Sequence, residues 1–343
     1  MKRPTQTDVA RLAGVSRATV SYVINGLADS TIPITKETRR RVLQAVAELG
    51  YQPDAVAQSL RYGTTNTIGL LIPDVVNPHY WQILKGVEEV VQAEGYNLLL
   101  TSTSLDPERE LNSVRALARR RIDGLILLLS YTEQVLQEID PLIQRRKPLV
   151  LVKKTMAGVD VVNPGHDTGA QAVMAHLLGL GHRRIGLVYG VASSELGSER
   201  LEAYHEGLQN AGIPLDESLI AYCGTTLEAG YRATLDLLHC QPRPTALMVI
   251  NDLLAIGALR AIVSSGLCIP EDISVASFDD VDMAAYLNPP LTTVDIQAEE
   301  IGRAAARMIF ERLRNPNMPP QLTEIPGRIV VRDSTGPVPK RTV

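Results

Sequence analysis

The chain has 343 residues, 45% of them apolar, and a formal net charge of -4 at pH 7. Its length suits one small and one or two larger domains, and no stretch approaches the roughly 18 to 20 continuous apolar residues of a membrane span or the apolar region of a signal peptide, so the expected compartment is the cytoplasm. Cys223, Cys240 and Cys268 are odd in number and include no Cys-x-x-Cys pair, which speaks against a disulfide framework or zinc site, and neither metal nor cofactor is expected.

The charge is unevenly spread. Residues 1–62 hold nine Lys/Arg against five Asp/Glu, a balance of +4 that leaves -8 for the rest. A basic head on an acidic body is what a phosphate-binding module on a globular core would look like. Within that head, TDVARLAGVSRATVSYVIN from Thr7 to Asn25 brings two short helical patterns together at Gly14. This is the pattern of a helix-turn-helix, a shape that fits the DNA major groove. Thr5 with Asp8 has the capping-box form, and Val9, Leu12 and Ala13 are expected on the inner face of the first helix. Ser16 can cap the second helix, whose inner stripe would be Val20, Val23 and Ile24, leaving Arg17, Ala18, Ser21 and Tyr22 outward. A third helix should run from a Thr35 cap to a Gly50 stop with Val42, Ala45, Val46 and Leu49 inward.

Pro53 to Leu60 reads as a short helix with Ala55, Val56, Ala57 and Leu60 on one face. Eight residues are too few for an isolated helix in water, so this segment needs a partner. From Thr67 onward short β-branched and leucine runs alternate with amphipathic helices, the signature of parallel sheets in an α/β protein. Strands are expected at Ile68–Ile72, Asn97–Thr101, Leu125–Leu129 and Leu149–Val152, and again at Ile185–Tyr189, Ala246–Ile250 and Ser274–Phe278. The helices between them are expected at Trp81–Glu94, Glu108–Arg121, Glu133–Arg145, Ala170–Leu180, Glu199–Ala211, Glu228–His239 and Leu253–Ser265. Two similar lobes follow, and in such sheets ligands sit beyond the carboxyl ends of the strands.

Eight segments taken in order, TDVARLAGVS, TVSYVIN, YQPDAVAQSLR, IGLLIPDVVNPHYWQILKGVEE, LGLGHRRIGLVYG, ERLEAYHEGL, NDLLAIGALRA and IPEDISVASFDDVDMAAYLNPPLTTV, resemble the lactose-repressor (LacI/GalR) family over nearly the full length. The resemblance implies an N-terminal helix-turn-helix headpiece with a hinge helix at about 53–61, followed by a periplasmic-binding-protein-like core. Its first lobe would comprise about 63–161 and 293–320, its second about 162–292 and 321–335, with Ala298–Arg314 as a late helix returning to the first. It also implies a cytoplasmic, effector-responsive regulator, most naturally a repressor, binding a pseudo-palindromic operator as a homodimer.

By residue-wise match, Arg17, Ala18 and Tyr22 would reach base edges, where Arg can fork onto guanine and Ala can meet a thymine methyl. Arg17 could instead contact phosphate. Ser16, Thr19 and Ser21 would cap the helix or touch phosphates, and Leu60, beside Arg61, would wedge into the minor groove. The effector would meet Asn77, His79, Tyr80 and Trp81 after the first strand, Arg200 at the start of a second-lobe helix, and Asn251 and Asp279 at later strand ends. Asn251 could simply cap its helix, Tyr80 and Trp81 could be core aromatics, and Arg200 with Asp279 could be an ion pair between lobes. Lys153 departs from the family, which often has Asp there. It could favour an anionic or phosphorylated effector or merely face solvent.

Two other readings stand beside this one. Asp279-Asp280, or His166 near Asp167, could serve acid-base catalysis, yet there is no G-x-S-x-G elbow, Walker loop or G-x-G-x-x-G after a strand. An exported binding protein would share the core but have no need of residues 1–62. The tail DSTGPVPKRTV, broken by Gly336, Pro337 and Pro339, cannot form leucine heptads, so a dimer is expected rather than a tetramer.

Overall fold

The computed structural model describes residues 4–24, 34–52, 64–153, 156–190 and 197–339, and the chain divides into two compact units, Met1–Thr65 and Asn66–Val343. In the first unit, helix α1 (Gln6–Ala13) starts on the reciprocal Thr5–Asp8 capping box and ends at Gly14 in the left-handed conformation, φ 63°. A side chain at that φ would be strained, so glycine makes the sharp turn into α2 (Arg17–Ile24) inexpensive. The third helix, α3 (Lys36–Leu49), runs from a Thr35 cap to a left-handed Gly50. Val9, Ala10, Ala13, Val20, Val23, Val42 and Ala45 form the core of this unit.

Two expectations fail here. Leu12 is 48% exposed, because at 100° per residue Val9, Ala10 and Ala13 already fill the inner stripe and carry Leu12 away from it. Ser21, expected outward, is buried beside Val20 on the inner face of α2.

The second unit holds two parallel sheets. The first contains β1 (Thr67–Ile72), β2 (Asn97–Ser102), β3 (Gly124–Leu128), β4 (Leu149–Val152), β5 (Asp160–Gly165) and a late strand, Leu322–Pro326, which pairs with β5 at the edge opposite β2. Its crossover helices are α4 (Pro78–Ala93), α5 (Pro107–Arg119) and α6 (Thr132–Gln144). After α7 (His166–Gly179), the second sheet takes β6 (Ile185–Tyr189), β7 (Ile220–Tyr222), β8 (Ala246–Val249) and β9 (Ser274–Ala276) in the order 7-6-8-9, with α8 (Ser198–Asn210), α9 (Leu227–Leu238) and α10 (Asp252–Ser264) between them. The apolar runs are buried on both faces, as parallel strands require: every residue of β3, β4, β6 and β8 is buried.

The chain returns through β10 (Thr293–Asp295), which pairs antiparallel with Arg328–Val330. Between those strands lies α11 (Ala298–Arg314), packed so tightly on α4 that a Cβ on Gly86 or Gly302 would run into the backbone of the other helix, at Glu299 and Ile83 respectively. The strand Leu322–Pro326 corrects the expected lobe boundary. The resemblance implies the second lobe for it, but it hydrogen-bonds along β5 in the first sheet, and only near Ser334, whose carbonyl accepts from Val275 N at 2.8 Å, does the chain rejoin the second.

Candidate functional site

Seven of the eight expected cleft residues, Asn77, His79, Tyr80, Lys153, Arg200, Asn251 and Asp279, line one cavity of about 90 Å³ at the carboxyl ends of both sheets. Each is placed there by local chain logic. Asn77 follows β1 and caps α4, its Oδ1 accepting from His79 N at 3.1 Å, with Pro78 suited to the first helical position. Arg200 stands in the first turn of α8, and Asn251 caps α10 by accepting from Leu254 N at 2.8 Å. Asp279 follows β9 with φ 108°, and Lys153 follows β4 with φ 84°. Left-handed backbone at non-glycine residues costs on the order of 1–3 kcal/mol each and gathers at functional sites.

Trp81 is the exception. The residue is 60% exposed, its Nε1–H donates to Val75 O at 2.8 Å, and it is absent from the cavity wall. One residue further along α4 than Tyr80, it is rotated about 100° away from the cavity.

At the centre, Asp279 accepts from Asn77 Nδ2 at 3.4 Å and from Arg200 Nη2 at 3.5 Å. The Arg200–Asp279 pair therefore lies within the second lobe, and it is Asn77 that reaches it from the first. The Arg200 guanidinium also covers the Phe278 ring at 4.8 Å and donates to His166 Nδ1 at 3.2 Å. His166, not expected in this role, must accept and is neutral. Burial holds its pKa well below the usual histidine value, and the Arg200 and Lys153 charges push in the same direction. His79 Nδ1 stands 4.0 Å from Asp279 Oδ1, too far for a hydrogen bond. Burial lowers its pKa despite the opposing pull of Asp279, so this ring is uncharged as well. Burial likewise raises the Tyr80 hydroxyl, which stays protonated.

Two polar atoms in this cluster have no partner among the described residues: His79 Nδ1 and Arg200 Nε. Asn77, His79, Arg200 and Asp279 are each at least nine-tenths buried. Behind them, the fully buried Asp252 accepts from Thr293 Oγ1 at 2.7 Å and Val281 N at 2.9 Å, tying the returning strand to the Asp279 loop. Burial and the nearby Asp279 charge push its carboxyl up to about 8. The adjacent acids Asp279 and Asp280 face different partners, since Asp280 pairs with Arg332 at 2.7 Å. His166 turns to Arg200 rather than to Asp167.

In the first unit, Arg17 and Ala18 are exposed on α2 and Tyr22 is half-buried. Arg17 Nε approaches Gln6 Oε1 at 3.4 Å. Ser16 Oγ accepts from Thr19 N at 3.0 Å and lies 2.8 Å from Thr19 Oγ1, so these two residues cap α2 as expected from the sequence. Ser21 is turned inward. Leu60 and Arg61 lie outside the described residues, as does the rest of the expected hinge helix.

Comparisons with known proteins agree with this division. Residues 5–54 match the model for bacterial regulatory proteins of the lacI family, and residues 174–335 match that for a periplasmic binding protein-like domain. The chain is 34% identical over 332 residues to a ribose operon repressor of Haemophilus influenzae, covering 96% of this chain and 98% of that protein. It is 32% identical over 334 residues to the HTH-type transcriptional repressor PurR of Photobacterium profundum, with 96% and 98% covered. Among solved structures, the lac repressor dimer bound to operator and the anti-inducer ONPF superposes with a TM-score of 0.85 at 28% identity, covering 98% of this chain and all of that one.

Proposed function

The chain belongs to the lacI family of bacterial regulatory proteins, and from that premise we propose how its parts divide the work: residues 1–62 read DNA, and the cavity around Asp279 holds the effector. It is a DNA-binding transcription regulator, a repressor whose operator affinity a small molecule controls. A homodimer supplies two headpieces, one for each half of the operator. It acts in the cytoplasm, by binding rather than by catalysis. The separate partners of Asp279 and Asp280 support the latter, because no paired carboxylates face a common reactant there.

The observation that carries the effector reading is the buried cluster of Asn77, His79, Arg200 and Asp279, drawn from both lobes, with His79 Nδ1 and Arg200 Nε unpaired. A buried polar atom without a partner costs about 1–3 kcal/mol, which a polar ligand would recover. A cavity of about 90 Å³ exceeds several times the roughly 10–15 Å³ that a single water needs, so it has room for the polar atoms of a small ligand. On the headpiece, exposed Arg17 and Ala18 support base contacts.

A thermal-shift screen of sugars, sugar phosphates and nucleobases finds the effector. A ligand at about one hundred times its Kd stabilises the chain by roughly 2.7 kcal/mol. That ligand should change operator retardation in a gel-shift assay, and Asp279→Asn should abolish the change while the variant still binds operator. An Asp279→Asn protein that answers the same ligand at the same concentration would contradict the assignment.

A further inference from the structure

We propose that the effector carries an anionic group, a carboxylate or a phosphate, seated in the corner of the cavity formed by Lys153, His166 and Arg200, and that Glu199 vacates Lys153 as it enters. This rests on the reading of the cavity as the effector site and specifies the ligand's chemistry.

Two helices begin at this corner, α7 and α8, and both have a glycine at the cap position, Gly165 and Gly197, with no side-chain hydrogen bond closing the end. The positive ends of their dipoles are therefore directed at the same place. His166 opens the first helix, and Gly197 and Arg200 bracket the start of the second; all three line the cavity. Helix ends alone would not define a site. Arg200, however, is 7% exposed, lines the cavity and has a donor, Nε, without any acceptor among the described residues. The wall needs an acceptor that the protein does not supply.

Lys153 adds a full charge. Its side chain is 16% exposed, and its left-handed backbone is fixed by donation from its N–H to Val162 O at 2.8 Å. The cationic character of the corner registers at His166, whose ring feels Arg200 and Lys153 as its main charged neighbours. The acids of the cavity already have donors of their own: Asp279 accepts from Asn77 Nδ2 and Arg200 Nη2, and Asp74 accepts from Val76 N at 2.9 Å within its own loop.

Glu199 shows what fits. Its side chain, in the first turn of α8 and 26% exposed, brings a carboxylate oxygen 3.1 Å from Lys153 Nζ, so the chain's own anion already pairs with this ammonium across the two lobes. A ligand carboxylate or phosphate has the same chemistry and can also reach Arg200 Nε, which Glu199 leaves unpaired. Asp279, Asn77 and the neutral His79 would then take the hydroxyl or amine groups of the rest of the molecule.

The test uses the full chain and matched probes on a common carbon skeleton, titrated by calorimetry and thermal shift: ribose, ribose 5-phosphate and ribonate, and the corresponding glucose, glucose 6-phosphate and gluconate. Inorganic phosphate serves as the bare anion. An anionic member is expected to bind about tenfold or more tightly than its neutral parent, and whether the phosphate or the acid leads identifies the group. Lys153→Gln should weaken that anion by roughly tenfold to a hundredfold and leave the neutral parent unaffected. Glu199→Gln, which removes the carboxylate charge 3.1 Å from Lys153 Nζ, should strengthen it by roughly twofold to fivefold. Inorganic phosphate should raise the Tm of the parent protein but not of Lys153→Gln. The proposal is overturned if neutral probes bind as well as their anions, if a folded Lys153→Gln keeps the anion's affinity, or if no anion, phosphate included, shifts the Tm of the parent. The cavity reading fails separately, when Asp279→Asn leaves the binding of every probe unchanged.

Discussion

Replacing Asp279 by Asn removes one charge from a cluster in which Arg200 has no other carboxylate partner among the described residues, and the consequence for the unliganded protein can be worked out. The two side chains are 3% and 8% exposed, so solvent screens the pair little. Breaking a buried ion pair costs about 3–5 kcal/mol, and the 3.5 Å separation places this one at the lower end, near ~3 kcal/mol. The amide cannot recover the loss by turning over. Asn77 Oδ1 is held by His79 N at 3.1 Å, so Asn77 keeps its Nδ2 toward residue 279, and the new amide nitrogen must face either that donor or the guanidinium. The left-handed φ of 108° is not the source of the penalty, since Asn tolerates that region at least as well as Asp. Urea unfolding at pH 7 should show the loss, together with a Tm lower by about 6 °C, taking about 2 °C per kcal/mol for a chain of this size. A double-mutant cycle isolates the pair. Arg200→Met alone should cost a similar amount, but the double variant should cost less than the sum by about 1–3 kcal/mol. Strict additivity would mean that the two side chains do not stabilise each other and that the geometry drawn around Asp279 is wrong.

Arg17→Ala should cost about 1–3 kcal/mol of operator binding and relax preference at one base pair per half-site with the salt slope nearly unchanged; a uniform loss with a shallower slope would make Arg17 a phosphate contact. Leu60→Ala should reduce DNA bending more than base discrimination, and an unaltered bend angle would remove it from the minor groove. Because burial depresses His166, the native state takes up fewer protons than the unfolded chain below the ordinary histidine value of 6.5. Stability is thus complete above that pH and falls as the pH drops, and His166→Gln should flatten the decline between about pH 6.5 and 5 measured by urea titration. Gly302→Val should destabilise the protein by about 3 kcal/mol or more, because its side chain has only the Ile83 carbonyl to displace, and an unchanged denaturation midpoint would show that α11 can move off α4.

The three described helices of the headpiece were nearly all legible in the sequence because their structure is local: a capping box spans three residues, a glycine stop stands alone, and Ser16 caps the helix that follows it. Its failures, Leu12 and Ser21, stand beside the inner stripe, where the 100° step of the helix makes the facing side a matter of one position. In the core, long apolar strands were legible and β5 was not. The segment DVVNPG ends in residues of poor strand propensity and is stabilised by two neighbours, one of them more than 150 residues later. Asn77, Arg200 and Asp279 were reached through family resemblance. His166 was singled out only beside Asp167, and Asp252 was missed, because their partners, Arg200 and Thr293, are adjacent only in three dimensions. Asp252 did carry one signal, an acid immediately after the capping Asn251, but that signal points to a helix start and not to a tether.

The glycine seam between α4 and α11 separates what can be altered in this protein from what cannot. Side chains deform and rotate, whereas two backbones in contact have no such slack, so whatever displaces Asn77 and His79 at the tip of α4 must carry α11 with it. On the proposed reading, ligand preference is encoded elsewhere, in side chains such as Lys153, which lines the cavity, and Glu199, which pairs with it. An engineer seeking a sensor for a new molecule can therefore rewrite those positions freely, provided Gly86 and Gly302 stay as they are and the new occupant still pushes on the same lever.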